Sequence, residues 1–320
     1  MSIYTLNHAA LPVEIERLEW NHHNLLVPVM GNHLLPPDIL AELQAASTTS
    51  SSSAATTRPP AVADIGTGTG VWLVDLAAHL PADARLYADA LQPFAPALHG
   101  QYDLVHVRLL VLALRAGDWA PLAANLLTLL RPGGWLVWEE VDLQHFQAVA
   151  VASDPPKAGT EQPPPGPSAA STTAGTNGTS TSTSTSTAVS PPSASTSTPS
   201  LAATTIDTMV QFNHSRTEKP SPYPVGLDAV LAAAGFADAR QHAFKVADHW
   251  DDPALRKATQ FAFVTIVGSY LRGMAAAGGF RDIQTADDAA QRTAAVQAEL
   301  DAGGTRVDYW LWRTTGRKSL

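Results

Sequence analysis

The spacing of apolar residues along the chain switches repeatedly between two periods. Short runs dominated by aliphatic and aromatic residues read as strands: "AVADI" (61–65), "ARLYA" (84–88), "YDLVHVR" (102–108), "WLVWEEVDL" (135–143), "ARQHAFKV" (239–246) and "VDYWLWRTTG" (307–316). Helical spacing predicts helices over 11–30 and 70–80, over 121–130, around 225–234 and 253–277, and over 286–301. Pro28 ends the first of these, Pro81 the second, and the run Arg131-Pro132-Gly133-Gly134 the third. Strands alternating with helices predict an α/β fold: a doubly wound, mostly parallel sheet with helices on both faces. The most apolar late stretch, "FAFVTIVGSYL" (261–271), is too short to span a bilayer and runs into Arg272, so it reads as a buried helix.

Two tracts carry neither period. "ASTTSSSSAATTRPP" (46–60) separates an N-terminal helical segment from the first strand, and a longer Ser/Thr/Pro/Ala stretch runs over 153–205, with "TSTSTSTST" at 179–187. Such composition buries too little apolar surface to offset the entropy of ordering, so both are expected to be disordered. The order is thus a helical cap (1–45), a linker (46–60), one half of an α/β domain (61–152), an insertion (153–205) and the other half (206–320). The sequon-like Asn177-Gly178-Thr179 has no secretory signal before it and carries no weight.

The 320 residues are 45% apolar, enough for a sizeable core, and the net charge is −9 with no dense Lys/Arg block. Nucleic acid is therefore not expected as a partner, because phosphate binding needs clustered cations. With no cysteine there is no disulfide, no thiolate catalysis and no Cys-ligated metal. The N-terminus shows no basic region followed by an apolar core, so the expectation is a cytoplasmic or nuclear protein without a membrane partner.

The chemistry concentrates in "VADIGTGTGVWLVDLA" (62–77), where a strand meets Gly66, Gly68 and Gly70 at alternate positions and then a helix. A turn of this kind lets a ligand lie against bare backbone at a helix N-terminus. The dinucleotide spacing is G-x-G-x-x-G, whereas here it is G-x-G-x-G with Val71 in the place of the third small residue. Asp64, two residues before Gly66, would repel a pyrophosphate but suit a ligand carrying an ammonium and a sulfonium. That favours S-adenosylmethionine. A nicotinamide-dependent oxidoreductase is a weaker reading, with no Tyr-x-x-x-Lys motif to support it.

Taken in order, "VADIGTGTGVWLVDLA", "YDLVHVRLL" and "LLRPGGWLVWEEVDL" resemble class I S-adenosylmethionine-dependent methyltransferases, and within them the fungal secondary-metabolism methyltransferases. "ERLEWNHH" and "WRTTGRK" resemble that group as well. The resemblance implies a Rossmann-like methyltransferase fold. Asp64 and the backbone of Gly66, Thr67, Gly68, Thr69 and Gly70 would hold the methionine end of the cofactor, and an acid ending the second strand would take the ribose hydroxyls. "YDLVHVR" would be the family's fourth strand, whose end borders the site. The helices of 253–301 would build the acceptor pocket, with Phe261, Phe263 and Tyr270 as lining candidates or simply helix packing.

The chain departs from the family in length. Only 31 residues run from Val71 to Gln101. The family fold wants two strand–helix units there, about sixty residues at about thirty each. The sheet is therefore expected to be short by one unit, with the seam at Leu86–Tyr87. Asp89, with Ala90 beside it, is the acid after strand three by likeness, while by count it lies where a ribose-binding acid belongs. Either way it is the expected adenosine carboxylate.

His106 and Arg108 share one side of their strand, as cofactor-pocket residues or as a core histidine and an arginine paired elsewhere. Glu139 and Glu140 point to opposite faces, and one of them is a candidate for the acceptor pocket. His22 and His23 are candidates for a lid. Their adjacency on one α-helix is wrong for joint metal ligation, so no metal is expected. Trp72, Trp310 and Trp312 read as core. No catalytic residue is assigned, because an activated methyl needs positioning more than a fixed constellation. The expected function is methyl transfer from S-adenosylmethionine to a small-molecule or protein acceptor. The alternative is a non-catalytic relative acting through protein partners.

Overall fold

The computed structural model describes residues 11–48, 59–80, 83–87, 92–142 except 112 and 116, 145–151, 200–215 and 225–320. Its main sheet has six strands: β1 (Ala61–Ile65), β2 (Asp83–Tyr87), β3 (Tyr102–Arg108), β4 (Leu130–Val141), β6 (Phe236–Lys245) and β8 (Trp310–Lys318). They lie in the order β2-β1-β3-β4-β8-β6, and only β8 runs antiparallel to its neighbours. A second, two-stranded sheet pairs β5 (Gln147–Ala150) with β7 (Thr305–Asp308).

Alternation along β1, β3 and β4 sorts their side chains to two covered faces. On one face Val62, Leu104, Trp135 and Val137 pack with Trp72, Leu73 and Leu76 of α4 (Val71–Ala77) and with Ile39 and Leu43 of α3 (Pro37–Thr48). On the other, Ala63, Val105, Val107, Leu136 and Trp138 join a core that includes α5 (Trp119–Leu129), α7 (Leu227–Ala233), α8 (Pro253–Ala276) and α9 (Ala286–Asp301). Helices on both faces of a mostly parallel sheet are the α/β architecture that the alternation predicts. Among the described residues only a 3₁₀ turn at Pro96–Leu98 stands between β2 and β3, and β2 ends the sheet. Among the described residues a single strand thus lies beyond β1, as the residue count implies.

Three predicted boundaries move. The Arg131-Pro132-Gly133-Gly134 run ends α5 but is itself the start of β4, where the pairing with β3 shifts register between Tyr102 and Leu104. A Cβ on Gly134 would lie 3.0 Å from the Tyr102 carbonyl oxygen and 3.1 Å from that of Arg131, so the bulge is tight against backbone and favours glycine. The predicted last strand is two strands, β7 and β8, in different sheets. The helix α6 (Leu201–Ser215) begins inside the last residues of the Ser/Thr/Pro tract.

The N-terminal segment folds as α1 (Leu11–Asn21), a π-helical turn (His22–Leu26) and the short α2 (Val27–Val29). It lies over the carboxyl ends of β1 and β3, where the chain passes from one side of β1 to the other. Ligands of doubly wound sheets bind at such a switch point. Among the described residues no helix is long and apolar enough to cross a membrane.

Candidate functional site at the carboxyl ends of the parallel strands

The strand registers bring a line of charged side chains to one end of one face. Asp64 on β1 is opposite His106 on β3, and Arg108 is opposite Glu139 on β4, which in turn faces Arg313 on β8. All but Arg108 are at least nine-tenths buried. His106 donates from Nδ1 to Asp64 Oδ1 at 2.7 Å, and its Nε2 lies 3.6 Å from Glu139 Oε2. The Trp72 indole stacks on the imidazole at 3.6 Å with the planes parallel within 1°. Arg313 donates to Glu139 Oε1 at 2.7 Å and to the His33 carbonyl at 2.6 Å, tying the sheet to the segment ahead of α3.

Burial alone would drive His106 neutral, but the two carboxylates outweigh it and raise its pKa. Burial likewise opposes the Glu139 carboxylate, yet Arg313, His106 and Arg108 hold it down to about 2. The line thus alternates acidic and basic side chains: Asp64, His106, Glu139, Arg313. His106 is a buried core histidine whose Nδ1 is held by Asp64, while its Nε2 has no hydrogen-bond partner among the described residues.

A second chain starts from the same strand. Arg108 Nη1 donates to His22 Nδ1 at 2.9 Å, and His22 Nε2 lies 3.0 Å from Asp75 Oδ2 on α4. His23 Nε2 reaches the same oxygen at 3.1 Å. His22 and His23, consecutive on the π-helical turn, thus converge on one carboxylate oxygen of the facing helix. The three groups lie close enough together to hold a metal ion. Arg108 decides what they do. A guanidinium has only N–H groups, so His22 must accept at Nδ1 and carry its proton on Nε2, where a metal would need the lone pair. The triad is a hydrogen-bonded clasp between the cap and α4. Burial and Arg108 lower the His22 pKa to about 4 against the pull of Asp75.

The glycine turn stands above this network. Gly66, Gly68 and Gly70 have φ of 70°, 60° and 79°, in the left-handed region that glycine alone enters freely. Gly66 and Gly68 are exposed, flanked by Leu110 Cδ2 and Leu18 Cδ1, which would lie 3.0 and 3.3 Å from a Cβ at those positions. Thr67 Oγ1 is buried with no partner, and Asp64 keeps Oδ2 unengaged among the described residues. Thr69 Oγ1 accepts from the Val71 N–H at 3.4 Å. Bare backbone, an orphaned hydroxyl and a carboxylate oxygen within one turn fit a ligand with an amino-acid end. The structure brings together Asp64, Gly66, Thr67, Gly68, Thr69, Gly70, His106 and Arg108, whereas Asp89 and Ala90 lie outside the described residues.

Glu140, an acceptor-pocket candidate from sequence, has a different place here, and two further residues, Asp142 and His145, have no counterpart among the sequence candidates. Glu140 accepts from the Leu110 and Val111 N–H groups at 2.8 and 3.1 Å and from Trp138 Nε1 at 2.8 Å, so it holds the loop after β3 against the glycine turn. Burial pushes its pKa up to about 7 despite those donors. Beyond the end of β4, the buried Asp142 accepts from Trp312 Nε1 at 3.3 Å and holds His145 Nδ1 at 2.7 Å. His145 is 40% exposed, and its Nε2 has no partner among the described residues. The adjacent glutamates and the Asp-x-x-His spacing were visible as letters, but their roles needed the fold. Of the proposed acceptor-pocket residues, Phe263 stacks on Phe146, Tyr270 packs on Phe212 and Phe261 meets Trp20 edge-on.

No family model matches the chain. It is 37% identical over 170 residues to the methyltransferase grgD of a Penicillium species, covering 44% of this chain and 53% of that protein. It is 25% identical over 151 residues to the methyltransferase str2 of Strobilurus tenacellus, covering 40% and 47%. It is 29% identical over 146 residues to the secondary metabolism regulator LAE1 of Gibberella fujikuroi, covering 38% and 46%. Among solved structures, the phosphoethanolamine N-methyltransferase 2 of Haemonchus contortus superposes with a TM-score of 0.41 at 10% identity, over 96% of this chain and 57% of that one. The chain spans about half the length of the curated relatives it matches, and over that span it is similar to fungal secondary-metabolism methyltransferases.

Proposed function

We propose that the protein transfers a methyl group from S-adenosylmethionine to a small-molecule acceptor in secondary metabolism. The observation that carries this reading is the 37% identity to a fungal methyltransferase. A glycine turn open to ligand at the strand ends supports it. The cofactor supplies an electrophilic methyl on a sulfonium. Gly66 to Gly70 would take its methionine end along the backbone, with Thr67 Oγ1 and Asp64 Oδ2 as acceptors for the ammonium. His106 and Arg108 would act from beneath, His106 by fixing the Asp64 carboxylate and Arg108 by fixing the cap. Asp89 is the proposed ribose acid. For an acceptor with an ionisable O–H or N–H, His145 is the proposed proton acceptor, because Asp142 holds its Nδ1 and leaves Nε2 free, as in a base oriented by a buried carboxylate. His145→Gln is expected to lower turnover by about 10²-fold without changing cofactor affinity.

The test is calorimetric titration of the full chain with S-adenosylhomocysteine. Micromolar binding is expected, and Gly68→Val should abolish it, since valine is strained at φ 60° and its side chain would meet Leu18. A folded sample that binds nothing would favour the second reading, a non-catalytic protein. The observation on that side is the sheet ending at β2.

A further inference from the structure

A cavity of about 300 Å³ opens between the start of α8, the end of α9 and β7, and none of the glycine-turn or charged-network residues lines it. Its chemistry is organised by one side chain. Trp250 follows the 3₁₀ turn Val246–His249, and its carbonyl oxygen accepts from Arg256 Nη1 at 2.8 Å. The guanidinium of Arg306, on β7, lies over its ring, 5.5 Å from the centroid. A guanidinium stacked on an aromatic face is held in place while its N–H fork stays free in its own plane. Arg256 spends one of its five N–H groups on the carbonyl and keeps the rest.

Neither arginine has a carboxylate within ion-pair distance among the described residues. The wall also carries one acidic group, Asp301, whose Oδ1 accepts from the amides of Gln260 at 2.7 Å and Gln297 at 2.9 Å, so that one carboxylate faces two guanidiniums across the cavity lining. Arg256 and Arg306 are thus two half-buried guanidiniums on one tryptophan without a carboxylate partner among the described residues. Arg131, Arg240, Arg281, Arg292, Arg313 and Arg317 each pair with a carboxylate, whereas Arg108 bonds His22 and Arg272 bonds Ser269.

We propose that this cavity binds a compact metabolite through an oxyanion, a carboxylate or phosphate, gripped between Arg256 and Arg306. Planar bidentate recognition of such groups is what a free guanidinium fork does best. The volume lies at the lower end of small-ligand sites, so the ligand is smaller than a nucleotide. The Thr305 and Gln260 side chains at the wall add polar partners for the rest of the molecule. This site stands apart from the methyl-transfer reading and does not depend on it.

The experiment titrates the full chain, in low-salt buffer, with inorganic phosphate and separately with citrate. Binding is followed by calorimetry and by tryptophan fluorescence against Trp250→Phe. Saturable binding of at least one anion is expected, with the responding probe telling phosphate from carboxylate. Arg306→Gln and Arg256→Gln should each weaken it about tenfold or more, the usual effect of losing a charge-assisted hydrogen bond. Arg281→Gln, in a surface pair with Asp207, should leave it unchanged. Thermal melts of every variant establish folding. Two results would overturn the proposal: no saturation by either anion with folded protein, or an affinity that both arginine variants leave intact.

Discussion

At the scale of single residues, the Asp64–His106–Glu139 line dictates how the molecule responds to pH. A group whose pKa rises on folding contributes stability that is full below its unfolded value and lost as pH climbs through the folded one. His106 is such a group, so its contribution is complete below about 6.5 and fades above it. Glu139 behaves oppositely: held at about 2, it contributes above the ordinary 4.5 and loses that contribution as pH falls toward 2. Glu140, raised to about 7, contributes below 4.5 and loses its share as pH rises through 7. Urea midpoints should therefore fall between pH 6 and 9. His106→Phe, which keeps a ring against Trp72, should flatten the part of that fall above 6.5. An equally steep fall in the variant would remove His106 as its source. Asp64→Ala leaves a buried imidazolium facing no β1 carboxylate and is expected to cost about 3–5 kcal/mol in denaturant unfolding at pH 6.

Elements show why some of the fold was legible and some was not. Strands β1 and β3 have the bounds that the sequence predicts, because both are short buried parallel strands bracketed by turn residues. What local pattern cannot carry is partner choice. The stretch 305–318 keeps one apolar rhythm, yet Thr305–Asp308 pairs with β5 and Trp310–Lys318 with β4 and β6. The His22–His23 pair is the second case, since adjacency in the sequence gives no sign that both rings reach Asp75 on a helix more than fifty residues away. The glycine turn, Asp64, His106, Arg108 and Glu140 were already candidates in the sequence, while the Asp142–His145 pair and the bonds of Glu140 emerged only when long-range pairing set β4 beside β3 and β8. The clasp also makes a prediction of its own. With a pKa lowered to about 4, His22 stabilises the docked cap above pH 6.5 and loses that contribution as pH falls through about 4, where an imidazolium would confront Arg108. Arg108→Met should move the His22 titration, followed by NMR of its ring protons, upward toward 6.5. An unchanged midpoint would mean that Arg108 does not set it.

On the scale of the whole molecule, the two halves of the sheet are far apart in sequence but meet through β4, β8 and β6, and the Ser/Thr/Pro tract connects them. Both ends of that connection are fastened to one corner. The Val151 N–H donates to the Gly304 carbonyl at 3.0 Å, and the Ala202 N–H at the start of α6 donates to Glu299 Oε2 at 3.2 Å, with Glu299 and Gly304 at the junction of α9 and β7. A closure whose ends are already anchored needs little chain to complete it. Its entropic cost grows only with the logarithm of length, about 0.6 kcal/mol per doubling. Replacing residues 152–199 by a Gly/Ser linker of about twelve residues is roughly two halvings, worth about 1 kcal/mol in favour of the folded state. For a protein of this size that is a rise in Tm of about 2–4 °C, readable by calorimetry. S-adenosylhomocysteine titration of the shortened chain should match that of the full one, because among the described residues the glycine turn is flanked by Leu18 and Leu110 and leads into α4. A lower Tm would instead mean that the tract makes stabilising contacts of its own, against the expectation from its composition. A raised Tm with weakened binding would divide its roles, giving it no part in holding the sheet together and a part in forming the site.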